Sequence, residues 1–255
     1  MHRFFADPAA FLNGRVEITG PDAVHITSVL RLCAGDCVTV CDGAQNDYVC
    51  EIVSAGRSAV LLSVKEVRRA DAEPETAVTL YQGLPKSDKM DGIVKRCVEL
   101  GVCRIVPVDT RRVVARPKDG QKKCMRWQKI AHEAAKQCGR GILPEVSGIL
   151  PFEQAVLDAE GCDLKLFPYE EDRAHSLKPV LLQKTPKTAA VFIGPEGGFD
   201  PKEAEFAKNH GWSLVSLGPR ILRTETAGAA VLSVLLYELG GWEPVTSSKK
   251  GDKIL

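Results

Sequence analysis

The chain has 255 residues, 44% of them hydrophobic and 26% charged, with a formal net charge of +1, the balance of a globular protein of one or two domains rather than of a disordered chain or a small stapled scaffold. There is no apolar run of about 18 residues, and Met1-His2-Arg3-Phe4-Phe5 meets Asp7-Pro8 too soon for a secretory signal, so a cytoplasmic protein without a membrane span is expected. Nine cysteines, odd in number and without a C-x-x-C pair, supply neither a disulfide framework nor a zinc signature.

In chain order, β-like runs are predicted at 16–18, 37–41, 48–53 and 59–67, separated by turn residues at Asp42-Gly43 and Ala55-Gly56-Arg57. Cys33, Cys37 and Cys41 are evenly spaced, but the strand reading puts 37, 39 and 41 on one face, and no metal is expected there. A helix over 22–32 has apolar residues at 26, 29, 30 and 32, with Asp22 as its cap. These elements predict a small β-barrel over 1–70, followed by a polar, proline-containing linker at 71–76. From Ala77 the pattern changes. Strands at 78–81, 104–108, 163–167, 189–193 and 213–217 alternate with helices at 87–100, 121–138, 201–210 and 226–239, which is the signal of parallel βαβ units. An α/β domain over 77–245 and a flexible tail at 246–255 are therefore expected.

The near-zero net charge conceals an uneven distribution. Residues 86–140 hold 15 basic and 6 acidic side chains, whereas 1–70, 71–85 and 141–255 are each net acidic. A local excess of Lys and Arg is the footprint of a phosphate backbone, and solvated helix faces are its bland alternative.

Three strand exits carry the chemistry. Gly194-Pro195-Glu196-Gly197-Gly198-Phe199 follows a buried strand and precedes a helix opened by Asp200-Pro201. Glycines there let the backbone approach a ligand at the carboxyl end of a sheet. The run matches neither the Walker nor the G-x-G-x-x-G pattern, which argues against an ATPase or an NAD enzyme. The second exit, Leu217-Gly218-Pro219-Arg220-Ile221-Leu222-Arg223-Thr224-Glu225, offers Arg223 and Glu225 as charged groups, with Thr224 and Thr226 read as helix caps. The third, Phe167-Pro168-Tyr169-Glu170, places Glu170 within reach of a neighbouring ligand. His132-Glu133 is followed by Lys136 rather than histidine, so the zinc-protease helix is absent, and Trp127 and Phe206 read as core.

Taken together, the GPEGG loop, the LG-P-R-ILR-TETA run, Lys86-Ser87-Asp88-Lys89-Met90-Asp91 leading to Glu99-Leu100-Gly101, and Arg126-Trp127-Gln128-Lys129 leading to Gln137 and Arg140 resemble the SPOUT-type 16S ribosomal RNA uracil-N3 methyltransferases. His2-Arg3-Phe4-Phe5 and the stretch 25–31 are similar to that family's N-terminal domain. The resemblance spans nearly the whole chain. It implies a PUA-like barrel for RNA, an α/β domain tied in a deep trefoil knot, S-adenosylmethionine as cofactor, a homodimer, and 16S ribosomal RNA of the small subunit as substrate, with uracil 1498 as the family's target. It further implies cofactor contacts at Phe167, Gly194, Glu196, Gly197, Leu217, Gly218, Ile221 and Leu222. Arg3, Arg31, Lys86, Arg112 and Arg140 are the expected RNA contacts. Arg223 is the expected cation beside the uridine anion, with Glu225 as its orienting or proton-accepting partner. Two departures stand out: Gly92 where the family tends to carry a bulky aromatic, and Cys138 where a small hydroxyl residue is commoner. The competing readings are a non-catalytic RNA-binding or assembly factor, a related enzyme acting at another RNA position, and a nucleotide-dependent enzyme of doubly wound fold.

Overall fold

Alternation in the first seventy residues builds one sheet: β1 (Arg3–Phe5), β2 (Phe11–Leu12), β3 (Arg15–Thr19), β4 (Cys37–Cys41), β5 (Asn46–Ala55) and β6 (Ala59–Arg69). Its order is β1-β4-β5-β6-β3-β2, with only β1 and β4 parallel. The computed structural model describes residues 1–182 and 185–243; the tail assigned to 246–255 lies outside the described residues. In β3 the buried Val16 and Ile18 alternate with exposed neighbours, the period of a half-buried strand. Irregularities in β5 between Val49 and Cys50 and between Ile52 and Ser54 add twist. The sheet curls until Phe11 of β2 stacks on Tyr48 of β5, ring centroids 4.0 Å apart, although β3 and β6 lie between those strands in the sheet.

A short helix α1 (Gly20–Val24) runs into a wider turn over His25–Val29, and together they cover the core with Ala23 and Ile26. The predicted helix over 22–32 thus begins earlier, with Pro21 in its first turn, and is stopped by Arg31 at φ +56°. Cys37 is exposed while Thr39 and Cys41 are buried. Burial pushes the thiols of Cys41 and Cys50 up to about 11 and about 12, so both are inert core residues.

This first unit comprises residues 1–73 and 135–143. The second segment falls inside the stretch read as the α/β domain, and it is anchored here by buried charge. Arg140 is 2% exposed; its Nε and Nη2 donate to Glu73 at 2.9 and 2.7 Å, and Glu73 also accepts from the Gly141 N–H at 2.7 Å. Arg3 forks onto both carboxylate oxygens of Asp47 at 2.6 Å and donates to the Arg140 carbonyl at 3.1 Å. Glu73, in the segment read as a linker, is therefore the partner of a buried guanidinium.

The second unit holds residues 74–134 and 144–243. Its sheet comprises β7 (Ala77–Gly83), β8 (Arg104–Asp109), β9 (Glu145–Val146), β10 (Leu150–Pro151), β11 (Leu164–Pro168), β12 (Thr188–Ile193) and β13 (Ser213–Val215). The order is β10-β8-β7-β12-β11-β13, with β9 also on β8 and every pairing parallel. Five of the six residues of β12 are buried, as a strand covered on both faces requires. The helices are α2 (Lys89–Glu99), α3 (Gly120–Cys138, whose last turn belongs to the first unit), α4 (Phe152–Asp158), α5 (Leu177–Leu182), α6 (Pro201–Asn209) and α7 (Thr224–Glu238). One face of the sheet packs an aromatic core of Tyr81, Phe152, Phe167, Phe192, Phe199 and Trp212 under α4 and α6. On the other face α7 packs against α2 and β12, with Gly228 beside Leu80 and Cys97. The sequence reading missed α4 and α5, which at seven and six residues show too little helical period to detect. It also missed the short strands β1, β2, β9 and β10.

Replacing Glu73 by Ala removes the carboxylate that faces the buried Arg140 guanidinium, whose side chain is 3% exposed. The expected loss of stability in urea unfolding is about 3–5 kcal/mol, the range for breaking a buried pair from one side.

Candidate functional site

A parallel sheet puts all its carboxyl ends on one edge, and the register makes them level. Ile193 pairs with Gln82, Gly83 with Val108, and Pro168 with Val215. The loops at 84–88, 110–119, 169–176, 194–200 and 216–223 therefore gather at that edge, where open α/β sheets bind ligands.

The loop after β12 is shaped by what crosses it. At Gly83 a Cβ would lie 2.6 Å from Pro195 Cδ and 2.8 Å from Pro195 N, so the end of β7 must be glycine for the loop to pass over it. At Gly197 a Cβ would meet Arg112 Cβ at 3.0 Å, and Arg112 Nη1 donates to the Gly197 carbonyl at 3.2 Å. Gly198 has φ +65°, and the Glu170 carboxylate occupies the place of its Cβ. Glu170 thus reaches this loop itself. The α6 helix that follows is opened by a capping box of Asp200 and Glu203. Glu203, 2% exposed, takes the Asp200 N–H at 2.9 Å and the Arg111 N–H at 2.8 Å, and so joins the β8 loop to the same frame.

Thr224 is not a cap: the helix boundary falls at Arg223, and the Thr224 hydroxyl donates to the Gly194 carbonyl at 2.6 Å while accepting from the buried Gln82 amide at 2.9 Å. Gln82 was not singled out from sequence, and Thr224 was read only as a cap. A glutamine closing an apolar strand just before a glycine was the available signal.

Lys89, at the start of α2, places its Nζ 3.0 Å from Glu196 Oε1 and 3.2 Å from Glu225 Oε2. Glu196 also accepts the Lys86 N–H at 3.1 and 3.2 Å. Burial alone would raise the Glu196 carboxyl, but hydrogen bonds from Lys89 and backbone amides outweigh it and hold the group below the usual range. Glu225 is lowered by its own backbone N–H and by Lys89, and both carboxylates raise the ammonium of Lys89 in return. The Glu196 carboxylate is therefore engaged by the 86–89 segment, which leaves its backbone as the part that faces a ligand. Glu225 pairs with Lys89 rather than with Arg223. Arg223 is exposed and has no ion-pair partner among the described residues.

The remaining expected residues divide clearly. Gly218, at φ +100°, has nothing within 4 Å of its Cβ position; Ile221 is 86% exposed, and Leu217 and Leu222 are half-buried. Phe167 is fully buried, its ring 4.1 Å from that of Phe199, so only its backbone reaches the sheet edge. Arg31, Lys86 and Arg112 are exposed. Arg3 and Arg140, also expected at the RNA, are paired within the protein to Asp47 and Glu73. Among the described residues no cluster of His, Cys, Asp or Glu is arranged to hold a metal, and no helix is long and apolar enough to cross a membrane.

An edge of glycine loops with exposed apolar walls and an unpaired arginine suits a cofactor-dependent group transfer. Residues 72–236 match the RNA methyltransferase domain family, and residues 18–65 match the RNA methyltransferase PUA domain family. The ribosomal RNA small subunit methyltransferase E of Bacillus subtilis (strain 168) is 34% identical over 229 residues, covering 87% of this chain and 90% of the relative. The namesake from Synechocystis sp. (strain ATCC 27184 / PCC 6803 / Kazusa) is 33% identical, covering 91% of this chain and 76% of the relative. A crystal structure of the namesake from Neisseria gonorrhoeae, bound to S-adenosyl methionine, superposes with a TM-score of 0.81 at 30% identity, over 93% of this chain and 97% of that one. The chain belongs to the ribosomal RNA small subunit methyltransferase E family.

Gly83→Ala is expected to cost about 1–3 kcal/mol through overpacking against Pro195. The check is a thermal melt together with proteolysis of the 194–200 loop, which should become more susceptible.

Proposed function

We propose that this chain transfers the methyl group of S-adenosylmethionine to N3 of a uridine in 16S ribosomal RNA. In this reading it acts in the cytoplasm, as a homodimer, on the assembled small subunit. The reading includes a deep trefoil knot in the C-terminal part of the second unit. The observation that carries it is the meeting of loops 194–200 and 216–223 at one sheet edge beside an unpaired Arg223, in a chain of this family.

The residues present fit the cofactor. Open space in front of Gly218, the exposed Ile221 and the half-buried Leu217 and Leu222 offer an apolar seat for an adenosine, and the backbone of Phe167, Gly194, Glu196 and Gly197 forms its polar rim. When bound, S-adenosylmethionine supplies an electrophilic methyl group on a sulfonium centre. The protein's task is to orient the uridine and favour loss of its N3 proton to solvent water. Arg223 supports the negative charge that spreads onto O2 and O4 as that proton leaves. Glu225, held ionised by its helix N–H and by Lys89, is a weaker base than an ordinary carboxylate, so it orients rather than accepts the proton. The exposed Arg31, Lys86 and Arg112 take RNA phosphates, while Arg3 and Arg140 hold the frame of the first unit. Support for the dimer comes from α7, where Val234 is 46% and Tyr237 66% exposed while Val231, Leu232 and Leu235 are buried.

The test is incubation with labelled S-adenosylmethionine and small subunits lacking the modification, followed by nucleoside analysis. N3-methyluridine is the expected product. Arg223→Ala is expected to lower kcat by about 10²–10³-fold, the loss for removing one charge-stabilising donor, with cofactor Kd unchanged. Full turnover by that variant would remove the role given to Arg223.

A further inference from the structure

Three segments of the sheet edge meet on a single ammonium group. We infer that Lys89 is a positioning residue of the methyl-transfer site, tying the start of α2 to the loop after β12 through Glu196 and to the start of α7 through Glu225. The inference rests on the methyltransferase reading above.

Lys89 Nζ is within 3.2 Å of both carboxylates, and so adds an ion-pair tie between two segments that the Thr224 hydroxyl already joins at the Gly194 carbonyl. A second cation of α2 acts on the same target: Arg96 Nη2 donates to the Glu225 backbone carbonyl at 3.2 Å. Its guanidinium lies over Gly92, where a Cβ would come within 3.2 Å of Arg96 Nη1. The missing side chain at position 92 thus gives Arg96 its path to α7, and residue 225 is gripped by side chain and backbone together.

The charges around Lys89 explain what the bridge does. Glu196 faces it from the β12 loop, and Glu225, with Arg223 just before it, from α7. On its own element Asp88 pairs with Lys123 at 3.5 Å, Asp91 pairs with Arg126 at 2.5 Å, and Arg96 points at α7. Lys89 is therefore the one side-chain cation that pairs with Glu225 among the described residues. While it does so, Arg223 is left for the substrate. Without it Glu196 and Glu225 repel each other, and Glu225 turns to the guanidinium two residues away. That capture neutralises the cation the reaction needs. Lys89 touches no reacting atom in this account; it acts through Arg223 and through the loop that Glu196 anchors.

The experiment compares wild type, Lys89→Met, Lys89→Arg and the double variant Lys89→Met/Glu225→Gln. It measures cofactor binding by calorimetry from pH 5 to 8 and methyl transfer to unmodified small subunits. Lys89→Met is expected to lower kcat at saturating cofactor about tenfold or more, and to bring the acid limbs of kcat and of cofactor affinity, which in wild type lie below pH 5, up toward the measured range, because carboxylates that lose a cation hold their protons to higher pH. Lys89→Arg should restore kcat to within about threefold of wild type. The double variant should recover part of the loss, since a neutral amide side chain at position 225 does not capture Arg223. A purely structural lysine would lower the melting temperature without moving the acid limbs.

Unchanged kcat and acid limbs in Lys89→Met, or an arginine variant no better than the methionine one, would overturn the inference. If wild type binds cofactor but methylates no RNA, the functional reading falls, and the pH dependence of cofactor binding in Lys89→Met still decides the role of Lys89. Where Lys89→Met does not fold, Glu196→Gln cuts the same bridge from its other side and should likewise weaken cofactor binding; wild-type affinity in that variant counts against the proposal.

Discussion

The side chains of Gln82 and Thr224 form a buried hydrogen-bond chain on which the whole sheet edge depends. The Gln82 amide donates to the Thr224 hydroxyl and to the Gly83 carbonyl, and the hydroxyl donates to the Gly194 carbonyl. Gln82 is fully buried and Thr224 5% exposed, so each donor has only these partners to replace water. The chain fastens three segments at once: the exit of β7, the first residue of α7 and the beginning of the loop after β12. With Thr224 turned inward, the residues on either side of it stay outside the core, Arg223 exposed and Glu225 on Lys89. The reactive face is in this sense the outward side of a packing constraint.

The loop after β12 has its shape imposed from outside as much as from within. A Cβ at Gly83 is excluded by Pro195, one at Gly197 would press on Arg112, and one at Gly198, where φ is +65°, would displace the Glu170 carboxylate. Those neighbours come from the exits of β12, β8 and β11, so the sheet order is recorded in where the glycines fall. Gly218 differs, since nothing lies in front of it. One set of glycines makes room for protein and the other leaves room for a ligand.

Much of this was legible in the sequence, for a physical reason. A buried parallel strand is a continuous apolar run, and a glycine-rich segment straight after it marks a strand exit, so the two principal loops and the alternating βα pattern could be read directly. What the sequence did not disclose was partnership. Counting cations over 86–140 treats Arg140 and Arg112 alike, yet one is sealed against Glu73 and the other is exposed. The partner of Arg140 lies 67 residues away, in a stretch whose proline and acidic residues look like a linker. Lys89 was quoted within a motif but not singled out, because nothing local shows that two distant glutamates converge on it. Thr224 looked like a cap because threonine before a helix usually is one. The short helices α4 and α5 are held by the aromatic core and by neighbouring helices rather than by any period of their own.

The two uses of arginine in this chain respond differently to ionic strength. The Arg140–Glu73 and Arg3–Asp47 pairs are largely removed from water, where mobile ions do not reach them, so their contribution to the first unit persists in concentrated salt. Exposed arginines such as Arg31 and Arg112 stand in the solvent, where salt screens any charge they meet. Concentrated salt therefore silences the exposed arginines while the buried ones go on holding the architecture.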